Sequence, residues 1–401
     1  LEELGIAAVQ DLEAVDFSVV TMARKLRAVL TTEVQHKVNH VGDLIMAEDG
    51  TEVALKELEQ LMKNLQPREL REAVGCGETL RPVHPISVRP ESGPSERIYG
   101  RSSGEVQFIF REIAEEHCYG LLQNLPSNSI VIDGGLNLGI FSLILSQQWS
   151  GDGSLTVLAF EPAIETYHLA IKNLRNHQVH VIEHGNGSTW DDDSHLAQAG
   201  TPSNGVVVHC FQMALSDHDG EDQLCYFPYL TSSSTLAKHR AAKDEAQKSG
   251  CFDRRLVEIF FAQERLEDVR CVRLSTVLQF MERRCPEICG QEISLLKLDI
   301  EGAEDEALRG LEKFWPRVKR LAVEVHGSHL LKKLKDSLML TFHGDVWQVP
   351  QELIPDHFML YGSSDRHDES TVLPSPNVEA VHREKKQKGG RCRKVACLPS
   401  L

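Results

Sequence analysis

The chain has 401 residues, a formal net charge of −16 and 25% charged residues, a composition typical of globular proteins and long enough for two or three structural units. The negative net charge argues against electrostatic binding of nucleic acid. No apolar run is long enough to cross a bilayer. The ten cysteines show no zinc-type spacing. We therefore interpret them as reduced thiols and expect an intracellular, cytoplasmic location.

The two ends of the chain differ in composition from its middle. Apolar residues recur at near-helical spacing within 1–72, which predicts a helical N-terminal extension. Residues 73–103 are rich in Pro, Gly, Ser and Arg and predict a linker. The last segment, 363–401, contains a basic run and is predicted to be a disordered tail.

Strands and helices alternate between these ends. Apolar runs predict strands at the start of 129–145 and at 155–162, 178–184, 205–217, 293–302 and 318–327. Helical patterns separate several of them, so we predict an α/β fold with a parallel sheet and right-handed crossovers. The polar stretch 184–204 is predicted to be a surface loop.

A glycine-rich turn follows the first of these strands, in the sequence SIVIDGGLNLGIFSLIL (129–145). The turn has the spacing D-x-G-x-x-x-G, formed by Asp133, Gly135 and Gly139. This spacing differs from the G-x-G-x-x-G pattern that brings a pyrophosphate to a helix N-terminus. A carboxylate at the strand end would repel a pyrophosphate but suits a positively charged ligand. We therefore expect Asp133 to face the ammonium and sulfonium groups of S-adenosylmethionine.

A second carboxylate supports a cofactor site at this turn. Glu161 ends the next predicted strand, at the separation where an acidic residue reaches ribose hydroxyls. The alternative is a glycine-rich loop beside a solvated glutamate. The predicted cofactor-binding residues are Asp133, Gly134, Gly135, Asn137, Gly139, Glu161, Ala214 and Asp299.

Several stretches of the chain resemble the FkbM-type S-adenosylmethionine-dependent methyltransferases. They are VIDGGLNLGIFSL, VLAFEP, LLKLDIEGAEDEALRG and LAVEVH, with a weaker match in MALSD and the later TSSSTL. They occur in family order, which predicts a methyltransferase domain over 104–362. The resemblance implies a Rossmann-like class I sheet of seven mostly parallel strands. It also implies methyl transfer, usually to a hydroxyl oxygen of a small molecule, natural product or saccharide.

Methyl transfer to a hydroxyl requires a base that accepts its proton. Asp299 and His326 follow two predicted strands, at the sheet edge where α/β proteins bind ligands, and either could be that base. Glu301, Glu324 and His326 are predicted to bind the acceptor. No metal site is predicted, because Asp299 and Glu301 have no third oxygen ligand in the sequence pattern.

Two other functions remain open at this point. An N-methyltransferase would have a neutral amine acceptor and would need no strong base. A non-catalytic methyltransferase-like module would bind other domains of a larger multidomain synthase. The N-terminal segment resembles the second half of an acyl-carrier domain, with Asp16, or Ser18 in a shifted register, at the serine position. A plain helical extension is the favoured alternative. The expected partners are a small-molecule or saccharide acceptor and other domains of a larger polypeptide, with no nucleic acid.

Overall fold

The computed structural model describes residues 83–88, 95–120, 125–185, 205–228, 230–240, 261, 264–351 and 357–364. The predicted helical segment 1–72, including its carrier-like stretch, lies outside the described residues. So do most of the predicted loop 184–204 and the tail beyond residue 364. In the described part of the chain, no helix is long and apolar enough to span a membrane.

The described residues form fourteen strands and six α-helices. The strands are β1 (His84–Val88), β2 (Glu96–Gly100), β3 (Ser129–Gly134), β4 (Ser154–Phe160), β5 (His180–Glu183), β6 (Gly205–Phe211), β7 (Ala214–Leu215), β8 (Gly220–Tyr226), β9 (Thr235–Leu236), β10 (Arg265–Val272), β11 (Ile293–Leu298), β12 (Arg320–His326), β13 (Asp345–Pro350) and β14 (His357–Ser363). The helices are α1 (Ser103–Ala114), α2 (Ile140–Gln148), α3 (Ile164–Asn176), α4 (Leu274–Arg284), α5 (Glu304–Arg309) and α6 (Ser328–Thr341).

Eight strands form the central sheet, in the order β13-β14-β12-β11-β3-β4-β6-β5. All neighbours in it pair in parallel except β14, which is antiparallel to both β12 and β13. This arrangement confirms the predicted α/β fold with a mostly parallel, Rossmann-like sheet. The sheet has eight strands rather than the seven that the resemblance implies, with β5 at one edge and β13 at the other.

Helices cover both faces of the central sheet. The β1–β2 hairpin, α1, α2 and α3 pack on one face, and α4, α5 and α6 pack on the other. As a result, every residue of β3 and of β11 is buried. A strand that is covered on both faces reads as a continuous apolar run, which is why these central strands could be predicted from the sequence.

A second sheet, with the order β7-β10-β8-β9, lies beside the first. The single strand predicted over 205–217 is wrong, because β6 pairs with β4 in the central sheet while β7 pairs with β10 in the second. The apolar face of the second sheet packs against Ala163, which follows β4, and against Ala303, which directly precedes α5. The second sheet therefore covers the carboxyl ends of central strands.

Part of the predicted linker 73–103 is folded. Strands β1 and β2 form an antiparallel hairpin, in which Ile98 is fully buried in the core. The amide of Tyr99 donates to Asn173 Oδ1 on α3 at 2.7 Å, and Asn173 Nδ2 donates back to the carbonyl of Tyr99 at 3.1 Å. The linker prediction is therefore wrong for residues 84–88 and 96–100.

Candidate functional site

A cleft lies between the second sheet and the carboxyl ends of β3, β4 and β11. It encloses about 610 Å³ between atoms, part of it open to solvent. Its lining residues are Gly135, Asn137, Phe160, Glu161, Pro162, Met213, Ala214, Leu215, Leu224, Thr231, Ser232, Ser234, Thr235, Leu236, Asp299, Ile300, Glu301 and Ala303. Ligands of open α/β sheets bind at this edge.

The cleft brings together five of the eight residues predicted to bind the cofactor. Gly135, Asn137, Glu161, Ala214 and Asp299 all line it. The other three, which belong to the same glycine-rich turn, do not line it: Asp133, Gly134 and Gly139. The turn thus contributes to the cleft mainly through the residues at its tip.

Lys297 on β11 holds the glycine-rich turn from the buried side. Its ammonium donates to Asp133 Oδ1 at 3.0 Å and to the carbonyls of Gly134 and Gly135 at 3.1 and 2.6 Å. The second oxygen of Asp133 accepts a hydrogen bond from the Ser142 hydroxyl at 2.7 Å. Both oxygens of Asp133 are therefore used inside the protein, where they neutralise a buried lysine rather than face a ligand. The sequence signal for Lys297 was a lone lysine within the apolar run ISLLKLDI.

The glycine at position 135 is required by the loop that follows β11. Gly135 has a φ of +84°, and a Cβ on it would lie 1.9 Å from the carbonyl oxygen of Asp299. The Asp299 amide also donates to the carbonyl of Gly134 at 3.0 Å. The turn and the β11 loop are therefore in direct backbone contact.

Glu161 lies at the end of β4 and closes one wall of the cleft. Its two oxygens accept the amides of Asn137 at 3.0 Å and Ala163 at 2.9 Å. Burial raises the pKa of Glu161 to about 7. Each carboxylate oxygen can accept more than one hydrogen bond, so Glu161 keeps acceptor capacity toward the cleft.

The serine-rich segment at 231–234 forms the opposite wall and is tied to α1. The Thr231 hydroxyl lies 3.0 Å from both Glu105 Oε1 and Asn137 Oδ1, and the Ser232 amide donates to Glu105 Oε1 at 2.9 Å. Burial raises the pKa of Glu105 to about 7. A protonated Glu105 can donate to Thr231, which then donates to Asn137. No sequence motif pointed to Glu105.

The loop after β11 carries Asp299 and Glu301 into the cleft. Glu301 has a φ of +58°, a left-handed conformation that costs a non-glycine residue energy. The loop is held by Glu304, whose carboxylate accepts the amides of Ile300 and Gly302, and by the Thr235 hydroxyl, which donates to the Glu301 carbonyl at 2.6 Å. This shape is what the LDIEGAE motif encodes.

Asp299 and His326, the two candidate bases, have different surroundings. Asp299 lines the cleft, and its Oδ2 accepts a hydrogen bond from the Tyr119 hydroxyl at 2.6 Å. Burial raises the pKa of Tyr119, so Tyr119 stays a donor. His326 does not line the cleft, but its Nε2 lies 3.2 Å from Glu301 Oε2 and 3.8 Å from Glu324 Oε1.

The three predicted acceptor residues belong to an acidic group, of which only part lines the cleft. Burial and the nearby Asp299 raise the pKa of Glu324 well above its usual value, and they raise that of Glu112 on α1 to about 8. Glu301 lines the cleft, whereas Glu324 and His326 do not. Glu112 was not predicted, because it looks like an ordinary polar position of a surface helix.

Comparison with known proteins identifies the family. The family model described as the methyltransferase FkbM domain matches residues 133–352. The chain is 31% identical over 282 residues to methyltransferase sdnD of Sordaria araneosa, covering 69% of this chain and 96% of that protein. It is 30% identical over 238 residues to the 31-O-demethyl-FK506 methyltransferase FkbM of Streptomyces tacrolimicus, covering 56% of this chain and 76% of that protein.

Among solved structures, methyltransferase FkbM from Methylobacillus flagellatus KT aligns with a TM-score of 0.35 and 11% identity, over 86% of this chain and 58% of that chain. A score this low adds nothing to the fold, which follows from the sheet order above. The matched family model covers the glycine-rich turn, Glu161 and the β11 loop. The chain belongs to the FkbM methyltransferase family and is an S-adenosylmethionine-dependent methyltransferase of that type.

Proposed function

We propose that the cleft holds S-adenosylmethionine and that the enzyme methylates a hydroxyl oxygen of a small molecule, natural product or saccharide. The bound cofactor supplies a methyl group on a positively charged sulfonium. The cleft fits such a ligand, because Glu161 offers acceptors for ribose hydroxyls and two further acidic residues, Asp299 and Glu301, are among its lining residues. Apolar side chains, among them Met213 and Leu236, line the remainder.

The observation that carries the O-methylation proposal is Asp299, a lining residue of the cleft whose carboxylate accepts a hydrogen bond from Tyr119. A hydroxyl is a weak nucleophile until a base accepts its proton. Asp299 is oriented by Tyr119 and by the backbone contact with Gly134. His326 is the second candidate base: Glu301 holds its Nε2, and its buried Nδ1 has no hydrogen-bond partner among the described residues. The FK506 relative, whose name specifies an O-methyl position, supports a hydroxyl acceptor.

The cofactor site is tested by Glu161→Ala. We expect S-adenosylmethionine to bind more weakly by about 1–3 kcal/mol, since ligand and backbone donors lose their acceptor. Isothermal titration calorimetry measures the dissociation constant, and Glu183→Ala on the edge strand β5 is the control. An unchanged dissociation constant in a folded Glu161→Ala protein would remove Glu161 from the site.

The base is tested by comparing Asp299→Asn with His326→Gln. Loss of the general base should lower kcat about 10²- to 10⁴-fold, while the fold is retained. Transfer of a labelled methyl group is measured across hydroxylated small molecules, saccharides and amines. Transfer to amines alone would replace O-methylation by N-methylation, and full activity in both variants would mean that neither side chain is the base.

We propose a cytoplasmic location for this enzyme. Six cysteines among the described residues are free thiols, and three of them are buried in the core. Unpaired thiols of this kind persist where the surroundings are reducing. Labelling with a thiol reagent inside and outside intact cells would test the location.

A further inference from the structure

Three side chains of the second sheet lie together outside the cleft: His218, Asp222 and Cys271. One ligand atom from each lies within 4.8 Å of the other two. The register of the sheet explains their proximity, because Cys271 on β10 pairs with Gly220 on β8 and Asp222 lies two residues further along the same face. The ring of His218 lies beside Gly220, with its Cδ2 3.5 Å from the position that a Cβ would take there. We propose that these three residues bind a zinc ion.

The donor set suits zinc. Zinc is bound in proteins by imidazole nitrogen, thiolate sulfur and carboxylate oxygen, whereas magnesium and calcium take oxygen ligands. Three protein ligands leave one tetrahedral position for water. His218 is exposed, Asp222 is half-buried and Cys271 is fully buried, so the ion reaches the site from solvent on the histidine side.

The orientation of His218 is that of a metal-binding histidine. Its Nδ1 lies 3.0 Å from the Ser216 hydroxyl and 3.2 Å from Asp217 Oδ1. Metal-binding histidines usually donate one ring N–H to a carboxylate or hydroxyl, and this fixes the other nitrogen toward the ion. The contacts at Nδ1 therefore leave Nε2 as the ligand atom.

Asp222 also contacts groups outside the proposed site. On binding, a zinc ion would replace the proton of the Cys271 thiol. Lys238 is the cation already present, at 3.1 Å from Asp222 Oδ2 and 2.6 Å from Glu306 Oε2. The other oxygen of Asp222, Oδ1, accepts the amide of Gln223 at 2.8 Å and would bind the zinc ion with its remaining lone pair.

A bound zinc ion would stabilise the second sheet at the point where this sheet borders the cleft. Cys271 pairs with Ala214, which lines the cleft, so the thiolate is one strand away from a lining residue. An ion bound to His218, Asp222 and Cys271 would join β10 to the stretch that leads into β8, two segments that are separated in sequence. This contribution is independent of which acceptor the enzyme methylates.

The experiment titrates the metal-free full-length chain with Co²⁺, a spectroscopic substitute for zinc. We expect one Co²⁺ per chain, a near-ultraviolet absorption band from the thiolate–cobalt bond, and loss of that band when Zn²⁺ is added. Cys271→Ser should abolish the band, and Cys225→Ser, which alters another buried cysteine of the same sheet, should keep it. Absence of the band, or its persistence in Cys271→Ser, would overturn the proposal.

Because Cys271 is buried, a variant at the exposed His218 provides a second test. His218→Gln should fold as the parent does and bind Zn²⁺ at least about tenfold more weakly, since even residues outside the ligand set change metal affinity by about 10- to 100-fold. His168→Gln, at an exposed position on α3, is the matched control. Equal Zn²⁺ affinity in His218→Gln and the parent would overturn the site even if the cofactor cleft is correct.

Discussion

Lys297 and Asp133 form an ion pair under the glycine-rich turn, with side-chain exposures of only 3% and 0%. Removing one partner of such a pair leaves a buried charge without compensation, at a cost of about 3–5 kcal/mol. We therefore expect Asp133→Asn to lower the free energy of unfolding by that amount, measured by urea unfolding. Asp219→Asn, which breaks the half-exposed pair with Arg273, should cost no more than about 1 kcal/mol.

A double variant separates the charge from the shape of the turn. Adding Lys297→Met to Asp133→Asn removes the charge that was left unpaired, so part of the lost stability should return. If Asp133→Asn is as stable as the parent but binds S-adenosylmethionine poorly, the carboxylate serves the ligand, as the sequence alone suggests, and the structural interpretation is wrong.

A partly buried pair, His184 and His209, makes stability depend on pH. The two rings are joined by a 2.9 Å contact from His184 Nε2 to His209 Nδ1. Burial lowers the pKa of His184 to about 4 and of His209 to about 3, against about 6.5 in an unfolded chain. Below pH 6.5 the unfolded state therefore takes up protons that the folded state does not. As the pH falls, each histidine lowers the free energy of unfolding by up to about 1.4 kcal/mol per pH unit.

The variant His209→Gln should remove part of this slope. Urea unfolding between about pH 4.5 and 6.5 gives the slope for the variant, the parent and the exposed control His168→Gln. Equal slopes in all three proteins would show that the buried histidine is not the source of the pH dependence.

At the scale of elements, the β1–β2 hairpin determines where the folded domain begins. Its side chains Ile86, Val88 and Ile98 are buried in the core formed with α1 and α3. A chain that starts at Ser102 lacks these contacts, so we expect it to unfold at lower urea concentration than a chain that starts at Pro82, with a loss of several kcal/mol. Equal urea midpoints for the two proteins would mean that the segment before Ser102 is a linker, as the sequence predicts.

The elements that the sequence predicted share a physical property. Strands β3, β4, β11 and β12 are covered on both faces and therefore show apolar runs. The hairpin and the second sheet are short, alternate buried and exposed residues, and lie among Pro, Ser and charged residues, so their patterns resemble loops. The break between β6 and β7 leaves no trace in the sequence, because both parts are buried.

The sequence predicts which strand ends form the cleft, but not which side chains form hydrogen bonds and ion pairs around it. Gly135, Glu161 and Asp299 could be placed because strand ends of a parallel sheet meet at one edge. Glu105 and Lys297 could not, since their roles depend on side chains that are more than a hundred residues away in the chain. Sequence spacing gives no measure of such distances.

For the molecule as a whole, buried carboxyl groups make stability fall as the pH rises toward 8. The pKa is raised to about 7 for Glu105 and Glu161 and to about 8 for Glu112. Between about pH 4.5 and these values the folded state holds protons that the unfolded state has released, so their contribution to stability is complete below about pH 4.5 and is lost by the time the pH has passed 7 and 8. Between about pH 6.5 and 8.5 we expect the free energy of unfolding to fall by about 1–3 kcal/mol.

Glu105→Gln should flatten this decline, because a neutral amide has no proton to lose. The exposed Glu183→Gln on β5 is the control, and both are followed by urea unfolding across the same pH range. A parent protein whose stability rises over this range would contradict the raised pKa values.

The contact between Gly135 and Asp299 has a consequence for the way the two substrates influence each other. Strand β11 supplies Lys297, which holds the cofactor turn, and the loop directly after β11 supplies Asp299, which lies at the proposed reaction centre. If an acceptor displaces Asp299, the turn has to move with it, since no space separates their backbones. Binding of the two ligands is then thermodynamically linked, and the factor by which the acceptor changes cofactor affinity equals the factor by which the cofactor changes acceptor affinity.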